Sequence, residues 1–186
     1  MRSIIDIIKS RRTTRALKKD EQIKDEELNV ILEAGIWAPS GHNLQSVFFT
    51  VIQNRKKIDK LNDLVKNSGK DSKDEITQKM CNNTMLDLFY GAPTVIIVSH
   101  ETCAITPVDD MAAATQNILL AAESLDIASG WNGVVRLFFR KITDEEKEEF
   151  GIPKDCIPHH AIILGYPKVK VMNIPPRNKQ QIKIIK

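Results

Sequence analysis

At 186 residues, 42% hydrophobic and 27% charged, with a formal net charge of +3, the chain has the balance of an ordinary globular protein long enough to bury a core. So mild a charge gives no argument for nucleic acid; its uneven part is the bunching of Arg11, Arg12 and Arg15 near the N-terminus. No apolar run approaches the ~18 residues of a membrane-spanning helix, and the first residues hold no signal-peptide core, so one cytoplasmic domain over residues 1–186 is expected.

Ile4, Ile5 and Ile8 recur at helical spacing, which predicts a short helix over 3–10, followed by the polar connector RRTTRAL. Asp25 reads as the N-cap of a helix whose apolar face is Leu28, Ile31 and Leu32, with Gly35 on the same side and Pro39 and Gly41 ending it. The β-branched and aromatic run 47–52 reads as a buried strand. Ile58, Leu61, Leu64 and Val65 predict a short amphipathic helix, and NSGKDSKDE after it a mobile surface loop. APTVIIVS (92–99) has the length and composition of a second buried strand.

The clearest helix opens at Thr106-Pro107, with Thr106 at the N-cap, proline at N1 and Asp109 at N3. Its stripe runs Met111, Ala114, Ile118, Ala121, Ala122 and Leu125, and so many alanines allow another helix to come close. IASGWNGVV (127–135) is punctuated by glycine, and Thr143 with Glu146 forms a capping box for one more short helix. HHAIILGY (159–166) predicts a third buried strand. The tail alternates weakly around Pro175-Pro176 and buries little of itself, so it is expected to lie along something else. Helices and strands mix without strict βαβ alternation, which points to an α+β domain with one central sheet covered by helices.

Cys81, Cys103 and Cys156 are odd in number and widely spaced without a C-x-x-C, against a disulfide framework or a zinc knuckle. Cys156-x-x-His159-His160 supplies only one cluster of soft ligands and reads as the start of a strand; no metal is expected.

Four segments carry chemistry. SRRTTR sets three guanidiniums and two hydroxyls in six residues at a helix end, a composition suited to phosphate oxygens as well as to a solvated basic turn. In WAPSGHNLQS, Pro39 and Gly41 are explained by a helix stop, whereas Asn43 and Gln45 each offer the donor and acceptor that a heteroaromatic edge requires; His42 is more naturally a surface histidine. SGWNG (129–133) is a tight turn around a packed Trp or a place where backbone N–H groups meet a ligand. PPRNK sets Arg177 and Lys179 on one side of a proline-stiffened segment, either a solvated tail or a second clamp on phosphate. G-x-G-x-x-G after a strand, a Walker loop, H-E-x-x-H and G-x-S-x-G are all absent, which disfavours a Rossmann dinucleotide fold and the common hydrolases.

The order of RRTTR, WAPSGHNLQ, APTVIIV, AAATQNILLAAESLDIASGW and LGYPKVK…PPR along one chain resembles the nitroreductase family of FMN-dependent oxidoreductases, over Ile4 to Lys179. The resemblance implies a mixed sheet between helices, in a homodimer with FMN at the subunit interface and C-terminal extensions crossing the partner. It implies a ping-pong cycle in which NADH or NADPH delivers hydride to flavin N5, and a nitroaromatic, quinone or similar electron-poor acceptor then takes its place. Carried over by position, Arg11 and Thr13 resemble phosphate ligands, with Arg12 beside the ribityl chain and Arg15 at the pyrimidine edge. Pro39, Ser40, Gly41 and Asn43 resemble the segment contributed by the other subunit. Gly130, Trp131, Asn132 and Gly133 match the segment covering the ring near N5, and Arg177 with Lys179 matches the C-terminal clamp. Where the family usually has Pro-Trp after its Asn-x-Gln, this chain has Ser46-Val47. Residues 55–83 are the least family-like, and no residue is assigned as general acid or base. The alternatives are a relative of this fold with another task (flavin-processing, dehalogenating or flavin-storing) and, more distantly, a nucleic-acid module. RRTTR lacks the interleaved aromatics that the last would need.

Overall fold

A computed structural model of the chain describes residues 2–169, 171 and 174–185, without the side chain of Lys179. Strands β1 (Val47–Ile52), β2 (Thr94–Glu101), β3 (Ala128–Asn132) and β4 (Cys156–Gly165) form one sheet in the order β1-β2-β4-β3, with all three neighbouring pairs antiparallel. The helices are α1 (Ile4–Ser10), α2 (Asp25–Ile36), α3 (Arg55–Gly69), α4 (Glu75–Asn82), α5 (Pro107–Ser124), α6 (Arg136–Phe139) and α7 (Asp144–Phe150).

The central strands follow from their composition. Alternate side chains of a strand point to opposite faces, so a strand covered on both sides reads as a continuous apolar run. In β2, Val95 and Ile97 join Ile58, Leu61, Val65, Phe138 and Phe150 in one core, while Ile96 and Val98 join Leu28, Ile31, Met111 and Ile118 in the other. Helices therefore cover both faces, which bears out the α+β expectation. The expected mixed sheet is instead antiparallel throughout its four strands, and among the described residues the parallel pairing is an isolated bridge between Thr13 and Ser129 outside them. The second core closes where α2 meets α5 at Gly35, where a Cβ would stand 2.8 Å from Ile118 Cδ1.

Several elements differ from the sequence reading. β1 is an edge strand with Phe48 39% exposed, because among the described residues only β2 pairs with it. The helix from Arg55 runs 15 residues to Gly69, and the stretch read as a loop is instead a short turn leading into α4. Asp74 caps α4 by accepting from the Thr77 N–H. Asp25 is the first helical residue of α2 rather than its cap; the Lys24 N–H donates to Glu27 instead. Thr106 makes no capping bond to α5. The box of Thr143 and Glu146 on α7 forms as expected, with both bonds present. Cys156 is buried at the start of β4. Among the described residues no helix is long and apolar enough to cross a membrane.

Candidate functional site

The Arg-rich segment lies along the outer edge of the sheet. Thr13 bridges Ser129 on the edge strand β3, and the Thr14 N–H donates to the Ser129 carbonyl at 3.1 Å. The extended backbone alternates its side chains, so Thr14 is buried while Thr13 and Arg15 face outward. Gly130 permits this contact: a Cβ there would stand 3.1 Å from Ile163 Cγ1 and 3.3 Å from Thr13 Cγ2. Two of the segments singled out in the sequence thus lie together.

Arg11 follows the last residue of α1 and is half-buried. Burial, then the neighbouring Arg12, and less strongly Arg177, hold its pKa below the usual guanidinium value, against the opposing pull of Glu123. Glu123 is already engaged, accepting from Ser10 Oγ at 2.6 Å and pairing with Arg2 at 3.4 Å. Arg12 Nε is buried without a hydrogen-bond partner among the described residues. Arg177 is exposed and its charge reaches Arg11, whereas the Lys179 side chain lies outside the described residues. Positive charge at this point exceeds the negative charge around it, which is the condition of an anion site.

Arg15 lies over the Tyr90 ring at 5.6 Å from its centroid. Tyr90 belongs to a turn that Asp87 organises, accepting from the Phe89 and Gly91 N–H groups at 2.8 Å each and from Arg55 at 3.1 Å. Asn132 at the end of β3 ties to the same turn, its Nδ2 donating to the Leu88 carbonyl at 2.9 Å. That leaves Gly133 as the open member of SGWNG, with nothing within 4 Å of an added Cβ. The Trp131 ring stacks on His160 with centroids 4.4 Å apart. His160 is fully buried, with Nε2 2.7 Å from Thr115 Oγ1. Burial, with His159 and Arg136 adjacent, pushes its pKa down to about 3, so its ring is neutral.

The connector between α2 and β1 sits elsewhere. Gly41–Asn43 forms a single 3-10 turn, and His42, Asn43 and Gln45 all have left-handed backbone, with φ of 52°, 57° and 53°. Asp110, buried at the start of α5, holds it: Oδ1 accepts from the Gly41 N–H at 3.0 Å and from Thr106 Oγ1 at 2.8 Å. Ser40 Oγ accepts from the Gln45 N–H at 2.9 Å, and Asn43 Oδ1 from Gln45 Nε2 at 3.3 Å. Pro39 and Ser40 line a small cleft of about 90 Å³ with Gln45 and Asp110. The connector therefore stands at the N-terminal end of α5, and Arg11 at the C-terminal end beside Glu123. At 1.5 Å per residue, about 20 Å of helix separates Asp110 from Glu123. One chain brings together the Arg-rich segment, SGWNG and Arg177, but not the connector.

Asp110, Asp87 and Tyr90 were not singled out in the sequence. The signal for Asp87 was its place two residues before an aromatic pair in DLFYG, where an Asx turn is common. Asp110 gave no such signal, because its partner is 69 residues away.

This α+β fold with an Arg-lined sheet edge defines a class. The family model described as "Nitroreductase family" matches residues 8–166, and the chain belongs to that family. A relative from Archaeoglobus fulgidus with the provisional name NADH dehydrogenase/NAD(P)H nitroreductase is 31% identical over 168 residues, 90% of this chain and 87% of the relative. Among solved structures, a nitroreductase with bound FMN from Bacteroides fragilis is 30% identical with a TM-score of 0.87, covering 100% of each chain. Another with bound FMN, from Desulfitobacterium hafniense, is 27% identical with a TM-score of 0.88 and also covers 100% of each.

Proposed function

We propose that this protein is an FMN-dependent oxidoreductase that takes hydride from NADH or NADPH and reduces a nitroaromatic, quinone or similar electron-poor acceptor, the two substrates using the site in turn. The reading takes residues 1–186 as one cytoplasmic FMN-binding domain that works as a homodimer. The observation that carries it is the half-buried Arg11 with Arg12 and Arg177 beside it and with Glu123 already engaged. A phosphate would balance that charge, and forked guanidiniums match its oxygens.

The residues present fit the cofactor. Arg11 and Arg177 would hold the phosphate and Thr13, on the same exposed side, would add a hydroxyl. Arg12 would contribute through its unpartnered Nε. Arg15, steadied by Tyr90, would place a cation at the pyrimidine edge, where charge favours the reduced ring. The backbone of Gly133 is free to approach the ring closely. Bound FMN would supply the hydride chemistry itself, and the chain positions the ring and limits access to it.

The second subunit enters through α5. Because about 20 Å of helix parts the connector from Arg11, Pro39, Ser40, Gly41 and Asn43 would reach the flavin held by a partner. Exposed apolar side chains support such pairing: Ile4, Ile5 and Ile8 of α1 are 47–59% exposed, and Trp37 is 79% exposed. Purified protein is expected to be yellow and to keep its flavin through desalting, to bleach with NADH or NADPH without oxygen, and to recover colour with a nitroaromatic. Colourless protein that takes up no added FMN would overturn the reading.

A further inference from the structure

A second basic cluster lies on the other side of Gly133. Helix α6 starts three residues after it, and its Arg136, with Arg140 just past the helix end, lines an open cavity of about 310 Å³ together with Gly133, Val134 and Leu137. Thr77 and Met80 of α4 form the opposite wall. The volume falls at the lower end of those that enclose small ligands. Among the described residues no carboxylate lines this cavity and neither arginine makes an ion pair. Arg136 Nε is buried without a hydrogen-bond partner among them. Both arginines, with His100, add to burial in holding the pKa of the nearby His159 below its ordinary value, so the excess of positive charge reaches past the cavity.

Two uncompensated guanidiniums four residues apart, facing apolar Met80, Val134 and Leu137, suit a flat apolar body with an anionic end. We propose that Arg136 and Arg140 form an anion subsite beside Gly133 that selects electron acceptors carrying a carboxylate. The proposal rests on the flavin reading, since Gly133 is what joins this cavity to the ring. It narrows the acceptor class to planar, reducible acids. The acceptor's ring lies against Met80 and Leu137, and its carboxylate meets the two forks.

Charge selectivity tests this on the FMN-loaded protein. 4-Nitrobenzoate and 4-nitrobenzamide have nearly the same shape and differ in charge. The loaded enzyme is expected to prefer the carboxylate by roughly 10-fold or more in kcat/KM, the scale of one charge-assisted hydrogen bond. Arg140→Gln and Arg136→Gln each reduce that preference, Arg140→Lys restores part of it, and Arg140→Glu reverses it. Non-reducible benzoate and benzamide, titrated into oxidised protein and followed by the flavin spectrum, give the same order as dissociation constants. Thermal midpoints and flavin content of the variants separate misfolding from lost selectivity. A loaded enzyme that treats the two nitro compounds alike overturns the subsite. So does a loss in the variants confined to NADPH relative to NADH, which would assign the arginines to the donor. Failure of the flavin reading is a distinct result, because the protein then takes up no FMN.

Discussion

The N–H of Gly41 donates to Oδ1 of Asp110 at 3.0 Å, and the same oxygen accepts from Thr106 Oγ1. The two residues are 69 positions apart, and their bond fixes where the connector leaves α2 relative to the first turn of α5. Three left-handed non-glycine residues follow, each costing of order 1–3 kcal/mol, so the surrounding contacts must over-determine the path. Asp110→Ala removes the acceptor common to both donors and is expected to lower stability by about 1–3 kcal/mol in urea unfolding. It should also weaken FMN retention, since the loosened connector no longer presents Ser40 and Gly41. Unfolding and flavin retention both matching those of the parent protein would show that Asp110 does not hold the connector.

Arg11→Ala takes the half-buried guanidinium from the proposed phosphate site. The expected loss is about 1.5–3 kcal/mol of FMN affinity, or roughly 10- to 150-fold in dissociation constant. Arg177→Ala, at an exposed position, should cost less. Fluorescence titration of apoprotein with FMN measures both, and an Arg11 variant that binds like the parent removes Arg11 from the site.

The proposed division of the site between subunits along α5 predicts complementation. Arg11→Ala and Asp110→Ala chains are each expected to hold flavin weakly on their own. A heterodimer of the two contains one site with both defects and one with neither. Co-expressed chains carrying different tags and purified through both should regain tight flavin at one site per dimer. No recovery would place both halves of a site in one subunit.

His160 gives acid sensitivity. Its folded pKa is about 3, against an ordinary value near 6.5 when unfolded, so between these values the unfolded chain binds the extra proton. The contribution is complete above pH 6.5 and is lost as pH falls toward 3, with a limiting slope of ~1.4 kcal/mol per pH unit. His159, also lowered, acts in the same direction. Urea unfolding at a series of pH values should show this slope flattened in His160→Gln. An unchanged slope would mean that His160 is not the group titrating.

Ser46 is 1% exposed and its hydroxyl has no partner among the described residues. Ser46→Ala relieves a desolvated polar group and is expected to stabilise by about 1 kcal/mol. Differential scanning calorimetry would detect that as a rise of roughly 2–4 °C in Tm for a chain of this size. A drop in Tm would show that the hydroxyl is satisfied in solution.

What could be read from the sequence followed how local its cause was. The Thr143–Glu146 box spans one helical turn, and both of its bonds are present. The buried runs of β2 and β4 announce themselves because both faces are covered. α4 was missed because Ile76, Met80 and Cys81 are its few apolar positions amid polar neighbours, and part of its support comes from Cys81 packing against Gly69 of α3. β1 looked as apolar as the central strands, and only pairing order makes it an edge. In the site, RRTTR and SGWNG were legible as residue types, whereas their contact through Thr13 and Ser129 is set by the sheet. Asp110 was out of reach because Thr106 and Asp109 had the form of a capping motif, while the carboxylate that matters points to a distant loop.

Helix α5 has a final consequence for how the chain tolerates change in length. It acts as a spacer whose ends carry the two proposed half-sites, so inserting or deleting one turn would keep their rotational phase but shift them by about 5 Å along the axis. The helices from Arg55 to Asn83 are held by Arg55 on Asp87 and by the buried Ile58, Leu61, Val65 and Cys81, but the turn at residues 70–74 between them is a stretch with no such constraint. Variation in length among relatives should therefore gather in that stretch and spare the residues from Asp110 to Glu123.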